Sequence, residues 1–427
     1  MHDLRKNIEL LAPAGNFEKL EIALHYGADA VYLAGKDFSL RNFSGNFSRK
    51  ELVRAVALAH GRKARVYVAC NVYSRDSEHP ALRDFLFFLK DLRPDGLIVS
   101  DPGVILCAQE IVPQLPLHLS TQANTTNSLA AAYWKKQGVR RINVARELSL
   151  GEIKTLADHV PVEIEAFVHG AMCISYSGRC LLSSFMENRD GNRGMCCQPC
   201  RFSYAVVEAK RPGQFYPLAE DQRGAYIFNS RDLCMIEHLP EMIAAGITAF
   251  KIEGRMKGIN YLASVVKTYR AAIDAYLDDP AAYTCDPAWK EALATVSNRG
   301  YGTGFYLGAI DNTRPDYAGN LAGGHRFIAK VLEPLPGGRD GYRARVEVRN
   351  KIFTGDDIDI VTPGAPNGMD TIKAVHDADG GAVEFAQPGS LVVLTVDTPL
   401  KPFDLIRRRR SAGDDCKRTR PREQPKI

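Results

Sequence analysis

The sequence predicts an α/β protein, a (β/α)8 TIM-like barrel with a cysteine-rich insertion, followed by a small antiparallel β-barrel domain. Three observations carry this prediction. Apolar runs alternate with segments of helical spacing over about the first 270 residues, and the runs are apolar throughout. From about residue 322, short runs of alternating pattern follow one another between Gly, Pro and Asp.

Eight apolar runs predict the barrel strands. In chain order they read IELLAPAG, ADAVYLAG, ARVYVACN, GLIVSD, LHLSTQ, RINVAR, VEIEAFVHG and AFKIEGR. Continuous apolar character is typical of parallel strands that are covered on both faces, and most intervening segments are long enough for a crossover helix. The first helix is expected in NFEKLEIALHYG, with Asn16 as its N-cap and Gly27 just past its end.

The chain divides into four predicted segments. The barrel covers residues 1–285 with the insertion at about 170–228, a connecting segment covers 286–321, and the small β-barrel covers 322–405. Residues 406–427 form a basic tail, since ten Lys and Arg face four Asp and Glu from Lys401 onward in a chain of net charge +5. Because the run Arg407 to Arg410 cannot bury apolar area, we expect a disordered tail that attracts RNA phosphates.

The cellular compartment follows from the N-terminus and from hydropathy. No basic segment precedes an apolar run and a cleavage site, and no stretch approaches the roughly 18 apolar residues of a membrane helix. We therefore expect a soluble cytoplasmic protein with no membrane partner. In a reducing compartment, clustered thiols indicate a metal site or a catalytic group more often than disulfides.

Five of the ten cysteines lie between residues 165 and 200. They are Cys173, Cys180, Cys196, Cys197 and Cys200. A zinc ribbon needs two CxxC pairs, and only Cys197 with Cys200 supplies one. A radical SAM site needs CxxxCxxC, but Ser203 stands where its last cysteine would be.

The surroundings of these cysteines favour an iron–sulfur cluster. A catalytic thiol is an alternative, with His169 four residues before Cys173, but a nucleophile needs one cysteine rather than five. Several glycines and arginines in the same window allow close approach of backbone N–H groups and supply positive charge. A cluster held by four thiolates is net negative, so it would be stabilised by both.

Polar residues at the ends of strands predict a second feature of the site. Lys251, Glu253 and Arg255 end the eighth strand, and Gln122 follows the fifth. In a barrel these ends share one rim, where active sites are built, and Arg presents a planar fork that matches carboxylate or phosphate. We expect an anionic substrate there. The alternative is a structural role for these residues: Lys251, Glu253 and Arg255 would form ion pairs at the strand end, and the segment of Gln122 would cap a helix.

At the cysteines the sequence resembles a known family. Glu165-x-Phe167-x-x-Gly170-Ala171-Met172-Cys173, four residues, and then Gly178-x-Cys180-x-Leu182-Ser183 matches the signature of the collagenase-like peptidase family U32 without departure. The likeness continues over LLAPAGN, GADAVYLAG, STQ, NRDGNRG, QPCR, NSRDLC and KIEGRMK. Length and the small β domain make the chain most similar to the long bacterial members, which make 5-hydroxyuridine in tRNA.

The resemblance implies a function and a set of site residues. The function is prephenate-dependent hydroxylation of the wobble uridine of tRNA at C5, with a 4Fe-4S cluster and, as further partners, cluster-assembly proteins. The implied cluster ligands are Cys173, Cys180, Cys196 and Cys234, although Cys197 and Cys200 also compete for the third position. The expected substrate-binding residues are Lys251, Glu253, Arg255, Gln122 and His169, with Lys251 and Arg255 as partners for carboxylates.

Two alternatives remain open at this point. One is a peptidase, as the family name says, although the chain contains neither HExxH nor GxSxG. The other is a cluster-bearing subunit of a different hydroxylation system, as in ubiquinone synthesis or the hydroxylation of rRNA cytidine.

Overall fold

The computed structural model describes residues 8–36, 38, 45–173, 175–201, 205–207, 215–217, 231–308, 325–338 and 341–409. The chain forms two compact units. The first comprises Met1–Leu293 and Ser297–Leu321, and the second comprises Ala294–Val296 and Ala322–Ile427. No helix in the described ranges combines the length and the apolar character that a membrane crossing requires.

Eight parallel strands close a barrel in the first unit. They are β1 Glu9–Pro13, β2 Ala30–Leu33, β3 Arg65–Cys70, β4 Gly96–Val99, β5 Leu117–Leu119, β6 Val139–Asn143, β7 Glu163–Ala171 and β8 Ile247–Ile252. Each strand pairs with the next, and β8 pairs with both β7 and β1, which completes the ring. The predicted TIM-like barrel and all eight predicted strands are confirmed.

Helices alternate with the barrel strands. The α-helices of this unit are Phe17–His25, Arg49–Gly61, His79–Leu92, Pro102–Ile111, Ser128–Lys136, Leu150–His159, Leu182–Glu187, Leu239–Ala244, Ile259–Asp278 and Pro287–Ala294. The first helix begins as predicted, since the Asn16 side chain accepts a hydrogen bond from the Lys19 N–H at 2.9 Å. Gly27 follows its end with a φ of 102°, a value that favours glycine.

The barrel interior combines an apolar cluster with buried charges. The cluster contains Leu11, Ala30, Tyr32, Ala34, Tyr67, Ala69 and Ile98. Beside it, Arg141 bonds to Glu9 at 2.5 Å and Lys251 bonds to Glu165 at 2.6 Å, and all four side chains are buried. A buried charge is costly unless an opposite charge pairs with it, so each ion pair links the two strands that carry its residues.

The insertion lies between β7 and β8, as predicted. Its described elements are the helix Leu182–Glu187, the 3-10 helices Gly191–Arg193 and Pro199–Arg201, and the strands Ala205–Val207, Phe215–Pro217 and Asp232–Cys234. The last strand runs antiparallel to the end of β7. Cys234 therefore ends a strand of three residues.

The second unit is built on an eight-stranded antiparallel sheet, which confirms the β architecture predicted for this domain. The strand order is Gly368–Thr371, Asp357–Val361, Leu405–Arg409, His325–Gly338, Gly341–Val348, Leu391–Val396, Ala374–His376 and Ala382–Val383. A further pair joins Ile352–Phe353 to Phe385–Ala386. Alternating buried residues such as Val346, Val348 and Leu394 form the core of the unit.

The basic tail was predicted to begin at residue 406, and this is wrong for the first arginines. Strand Leu405–Arg409 pairs with two neighbours in the sheet. Arg407 is 1% exposed and donates to Thr295 Oγ1 at 2.7 Å, while Arg408 pairs with Asp356 at 3.1 Å. These arginines find partners that are distant in sequence, which composition cannot reveal. Residues 410–427, the rest of the predicted tail, lie outside the described residues.

Candidate functional site

A cavity of about 160 Å³ lies at the carboxyl ends of the barrel strands. The barrel contributes polar residues that follow its strands, namely Asn71, Ser120, Thr121, Gln122, Asn143, Arg146, Lys251, Glu253 and Arg255. The insertion contributes Cys173, Ser175, Tyr176, Ser177, Gly178, Cys180, Ser183, Gly191, Asn192, Cys196, Gln198 and Cys200. The insertion therefore forms one wall of a site at the rim where TIM-barrel enzymes carry their chemistry.

Four thiols of the insertion line this cavity. Cys173 is exposed, and Cys180, Cys196 and Cys200 are partly buried. The Cys173 Sγ lies 3.8 Å from Arg146 Nη1, so a thiolate there would face a guanidinium. No three metal-binding side chains in the described ranges stand close enough together to share one ion, so a shared metal would require the loops to draw these thiols closer.

Residues 196–200 read CCQPC, and the remaining cysteine of this stretch, Cys197, differs from its neighbours. Cys197 does not line the cavity, and its Sγ lies 3.5 Å from Ser183 Oγ. The same hydroxyl lies 3.6 Å from Cys196 Sγ and accepts from the Cys197 N–H at 3.3 Å. Ser183 thus holds the backbone of this stretch so that Cys196 and Cys200 reach the cavity.

Cys234, which was expected to be the fourth ligand, does not line the cavity. It pairs in the sheet with His169, and its Sγ is 3.9 Å from the Tyr269 hydroxyl. Burial raises the pKa of this thiol to about 11. The cavity lining therefore contains three of the four expected ligands and also Cys200, whereas Cys234 is not part of it.

Three cationic side chains line the barrel side of the cavity. Lys251 and Arg255 were expected there, and Arg146 joins them. Lys251 pairs with buried Glu165, and Arg255 bonds to Asn46. The Arg146 guanidinium stacks 4.0 Å from the centre of the Phe167 ring and donates to the Ala171 carbonyl at 2.8 Å.

These contacts hold the three cations in fixed positions. Each of them is less than 10% exposed. Glu253, the remaining charged residue of the lining, offsets one of the three positive charges, and Glu165 behind the lining pairs with Lys251, which leaves an excess of one positive charge. The charge of the lining, with its acid and its cations ionised, therefore suits an anion.

Of the other two expected substrate-binding residues, one reaches the cavity. Gln122 lines it from the 3-10 helix Thr121–Ala123, which Ser120 caps. His169 does not line it. Its ring packs among Tyr261, Tyr269 and Tyr301, and burial lowers its pKa to about 3, with a further contribution from the charge of Lys257. His169 is thus a neutral core residue at ordinary pH.

Sequence reasoning did not select several residues that line the site. Arg146 follows β6 and Asn143 ends it, and neither was among the expected substrate-binding residues. The Asn143 Oδ1, the Asn71 Oδ1 and the Arg146 Nε are buried, and none of these atoms has a hydrogen-bond partner among the described residues. Buried polar groups without partners are rare, and here they face a cavity that a ligand can fill.

Two family models cover most of the sequence. Residues 15–315 match the model described as peptidase family U32, and residues 324–407 match that of its C-terminal domain. The chain belongs to peptidase family U32. The U32 signature at Glu165–Ser183 thus runs from the last part of β7 into the wall of the cavity, where it supplies Cys173, Cys180 and Ser183.

The named relatives of the chain carry two kinds of description. The chain is 38% identical to tRNA hydroxylation protein P1 of Bacillus subtilis, over 95% of this chain and 96% of that protein. It is 34% identical to tRNA hydroxylation protein P of Escherichia coli, over 92% and 94% of the two chains. A protein of Porphyromonas gingivalis named collagenase is 29% identical, over 94% and 98%.

Proposed function

We propose that this U32 protein hydroxylates tRNA, converting the wobble uridine to 5-hydroxyuridine with a prephenate-like co-substrate and a 4Fe-4S cluster. The observation that carries the proposal is the cavity, where four thiols of the insertion face three buried cations of the barrel. The names of the full-length relatives in B. subtilis and E. coli support tRNA as the substrate.

The donor set of the cavity fits an iron–sulfur cluster in its chemistry. Cys173, Cys180 and Cys196 are three soft ligands on one wall. Two thiols compete for the fourth position, namely Cys234, which the family resemblance implies, and Cys200, which lines the cavity. A bound cluster would supply one-electron redox chemistry, which suits oxidation at the unactivated C5 of uridine better than acid–base groups alone do.

The cations fit a small organic anion with carboxylate groups. Arg146 and Arg255 can each donate to a carboxylate, and Lys251 adds a third positive charge on β8. The unpartnered amide oxygen of Asn143 would accept from a hydroxyl group of the same ligand. Prephenate, which carries two carboxylates and one hydroxyl, matches this set of partners.

The collagenase name of the P. gingivalis relative makes peptidase activity the second candidate. A cysteine peptidase needs a base within hydrogen-bond reach of its thiol. The nearby candidate in sequence, His169, is buried among tyrosines and does not line the cavity that holds Cys173. His169 therefore offers Cys173 no base, which counts against a cysteine-peptidase role at this thiol.

The decisive experiment is mass spectrometry of tRNA from a strain that lacks this gene and every paralogue. We expect 5-hydroxyuridine to disappear at the wobble position and to return with the wild-type gene. A Cys173→Ser gene, expressed to the same level, should not restore it, whereas Cys107→Ser, a change outside the cavity lining, should. Unchanged 5-hydroxyuridine in the deletion strain would refute the proposal.

A further inference from the structure

The helix Leu182–Glu187 has two faces of opposite character. Ser183 is 2% exposed and contacts the thiols of Cys196 and Cys197. Phe185, two residues later, is 83% exposed. Two residues correspond to about 200° around a helix, so the ring points away from the cavity wall that Ser183 helps to form. Leu181, one turn before Phe185, is 54% exposed on the same side.

Phe185 is one of several large apolar side chains of the insertion that are exposed, and we call this set, with the charged residues beside it in sequence, the insertion face. Its apolar members are Tyr176, Leu181, Phe185, Met186 and Met195, with exposed fractions between 36% and 83%. Its charged members are the exposed residues Arg179, Glu187 and Arg189. Five large apolar side chains are thus exposed within twenty residues of sequence, a density that is typical of a binding surface.

The insertion face reaches the mouth of the cavity. Tyr176 lines the cavity and is also 47% exposed, so it belongs to both. An occupant that contacts Tyr176 therefore lies next to the thiols and the buried cations, while Phe185 is exposed on the outer side of the same insertion. If the reaction occurs in the cavity, an RNA that presents a base there can also contact the exposed ring of Tyr176.

We propose that the insertion face binds the unpaired loop of an RNA, with bases stacked on Phe185 and Tyr176 and phosphates near Arg179 and Arg189. This inference rests on the proposed function and names the surface that receives the substrate. Exposed aromatic rings beside arginines are the usual means by which proteins hold single-stranded nucleic acid. Bases inside a duplex present no free ring face, so the surface selects an unpaired loop.

The experiment measures RNA binding by the full-length protein at fixed salt. The probes are a fluorescently labelled anticodon stem–loop with a seven-nucleotide uridine-containing loop and a fully paired RNA duplex of equal nucleotide number. We expect Phe185→Ala to weaken loop binding about fivefold or more, which corresponds to ~1 kcal/mol for one lost stack. Duplex binding should stay unchanged, and Phe185→Trp should retain loop binding.

Leu129 provides the matched control, because it is also 83% exposed but belongs to the helix Ser128–Lys136, which is not part of the insertion. Leu129→Ala should bind both probes as the wild type does. Equal loop binding by wild type and Phe185→Ala would overturn the inference. So would a wild-type dimer that the Phe185→Ala change dissociates, since the occupant would then be a second copy of the chain.

Hydroxylation is measured separately on the same RNA, so that the two proposals can fail independently. Loop binding that depends on Phe185, without any formation of 5-hydroxyuridine, supports the surface and refutes the function. Hydroxylation with a KM for RNA that Phe185→Ala leaves unchanged refutes the surface and supports the function.

Discussion

Arg193 of the insertion forms an ion pair with Glu78, which lies after β3 on the barrel. Its Nη1 donates to Glu78 Oε2 at 3.2 Å and to the Tyr73 carbonyl at 2.7 Å. The hydrogen bond from Arg193 is the main cause that lowers the pKa of Glu78, so the pair is charged at neutral pH. This contact ties the wall that carries the thiols to the rim that carries the cations.

Removing this tie should loosen the insertion while the barrel stays folded. We expect Arg193→Ala to speed limited proteolysis within residues 170–201 severalfold, with a loss of global stability of at most about 1 kcal/mol, because the pair is partly exposed. Arg83→Ala is the matched control, since Arg83 forms a comparable pair with Glu110 between two helices. Equal cleavage of the insertion in both variants would contradict the prediction.

Cysteine substitutions should divide into two classes by iron content. After anaerobic purification we expect about four iron atoms per chain in the wild type and near none in Cys173→Ser, Cys180→Ser or Cys196→Ser. Cys107→Ser and Cys197→Ser should retain iron, since neither thiol lines the cavity. Iron and sulfide analysis of Cys200→Ser and Cys234→Ser identifies the fourth ligand. Full iron content in Cys173→Ser would exclude the proposed site.

Arg146 is expected to bind the anionic co-substrate. Replacing it with Gln should weaken prephenate binding, measured by calorimetry, about 10- to 100-fold, as for loss of a charged hydrogen bond. Arg146→Lys should not restore affinity, because an ammonium lacks the planar fork that stacks on Phe167. The control is Arg140→Gln, an exposed arginine that pairs with Glu163. Wild-type affinity in Arg146→Gln would place the anion elsewhere.

The sequence predicts some features of this protein well because they are local. The barrel strands are continuous apolar runs, and the residues that end them share a rim by the geometry of the fold. The sequence therefore predicts that Lys251, Arg255 and Gln122 lie at this rim, where all three line the cavity. Contacts between distant segments leave no such signal. Composition alone could not show that Arg408 meets Asp356, and spacing could not show whether Cys200 or Cys234 reaches the cavity.

Gly170, a residue of the U32 signature, should not tolerate a side chain. It has a φ of 106°, and a Cβ there would lie 2.6 Å from the Glu253 carbonyl oxygen, which is backbone and cannot move freely. We expect Gly170→Ala to cost about 1–3 kcal/mol of stability in urea unfolding. Gly151→Ala, on the helix Leu150–His159 with nothing within 4 Å, should be neutral or stabilising. Equal stability of the two variants would contradict this account.

His118 should make barrel stability depend on pH. It is buried against Tyr67 below the cavity, and its pKa lies well below the ordinary value because of burial first and the charges of Arg141 and Lys251 second. Below pH ~6.5 the unfolded chain binds a proton at this histidine that the native barrel does not. Stability is therefore fully present above that pH and falls as the pH is lowered, by up to ~1.4 kcal/mol per pH unit.

The variant His118→Gln lacks this titration, so the stability difference between wild type and variant should shrink steadily from pH 6.5 to 5. Contributions of other groups, including His169, are present in both proteins and cancel in the difference. Urea unfolding followed by tryptophan fluorescence suits the measurement, because both tryptophans, Trp134 and Trp289, belong to the barrel unit. If the two stability curves run parallel over this pH range, His118 takes up a proton as readily in the native barrel as in the unfolded chain. The burial of His118 beside two cations argues against that result.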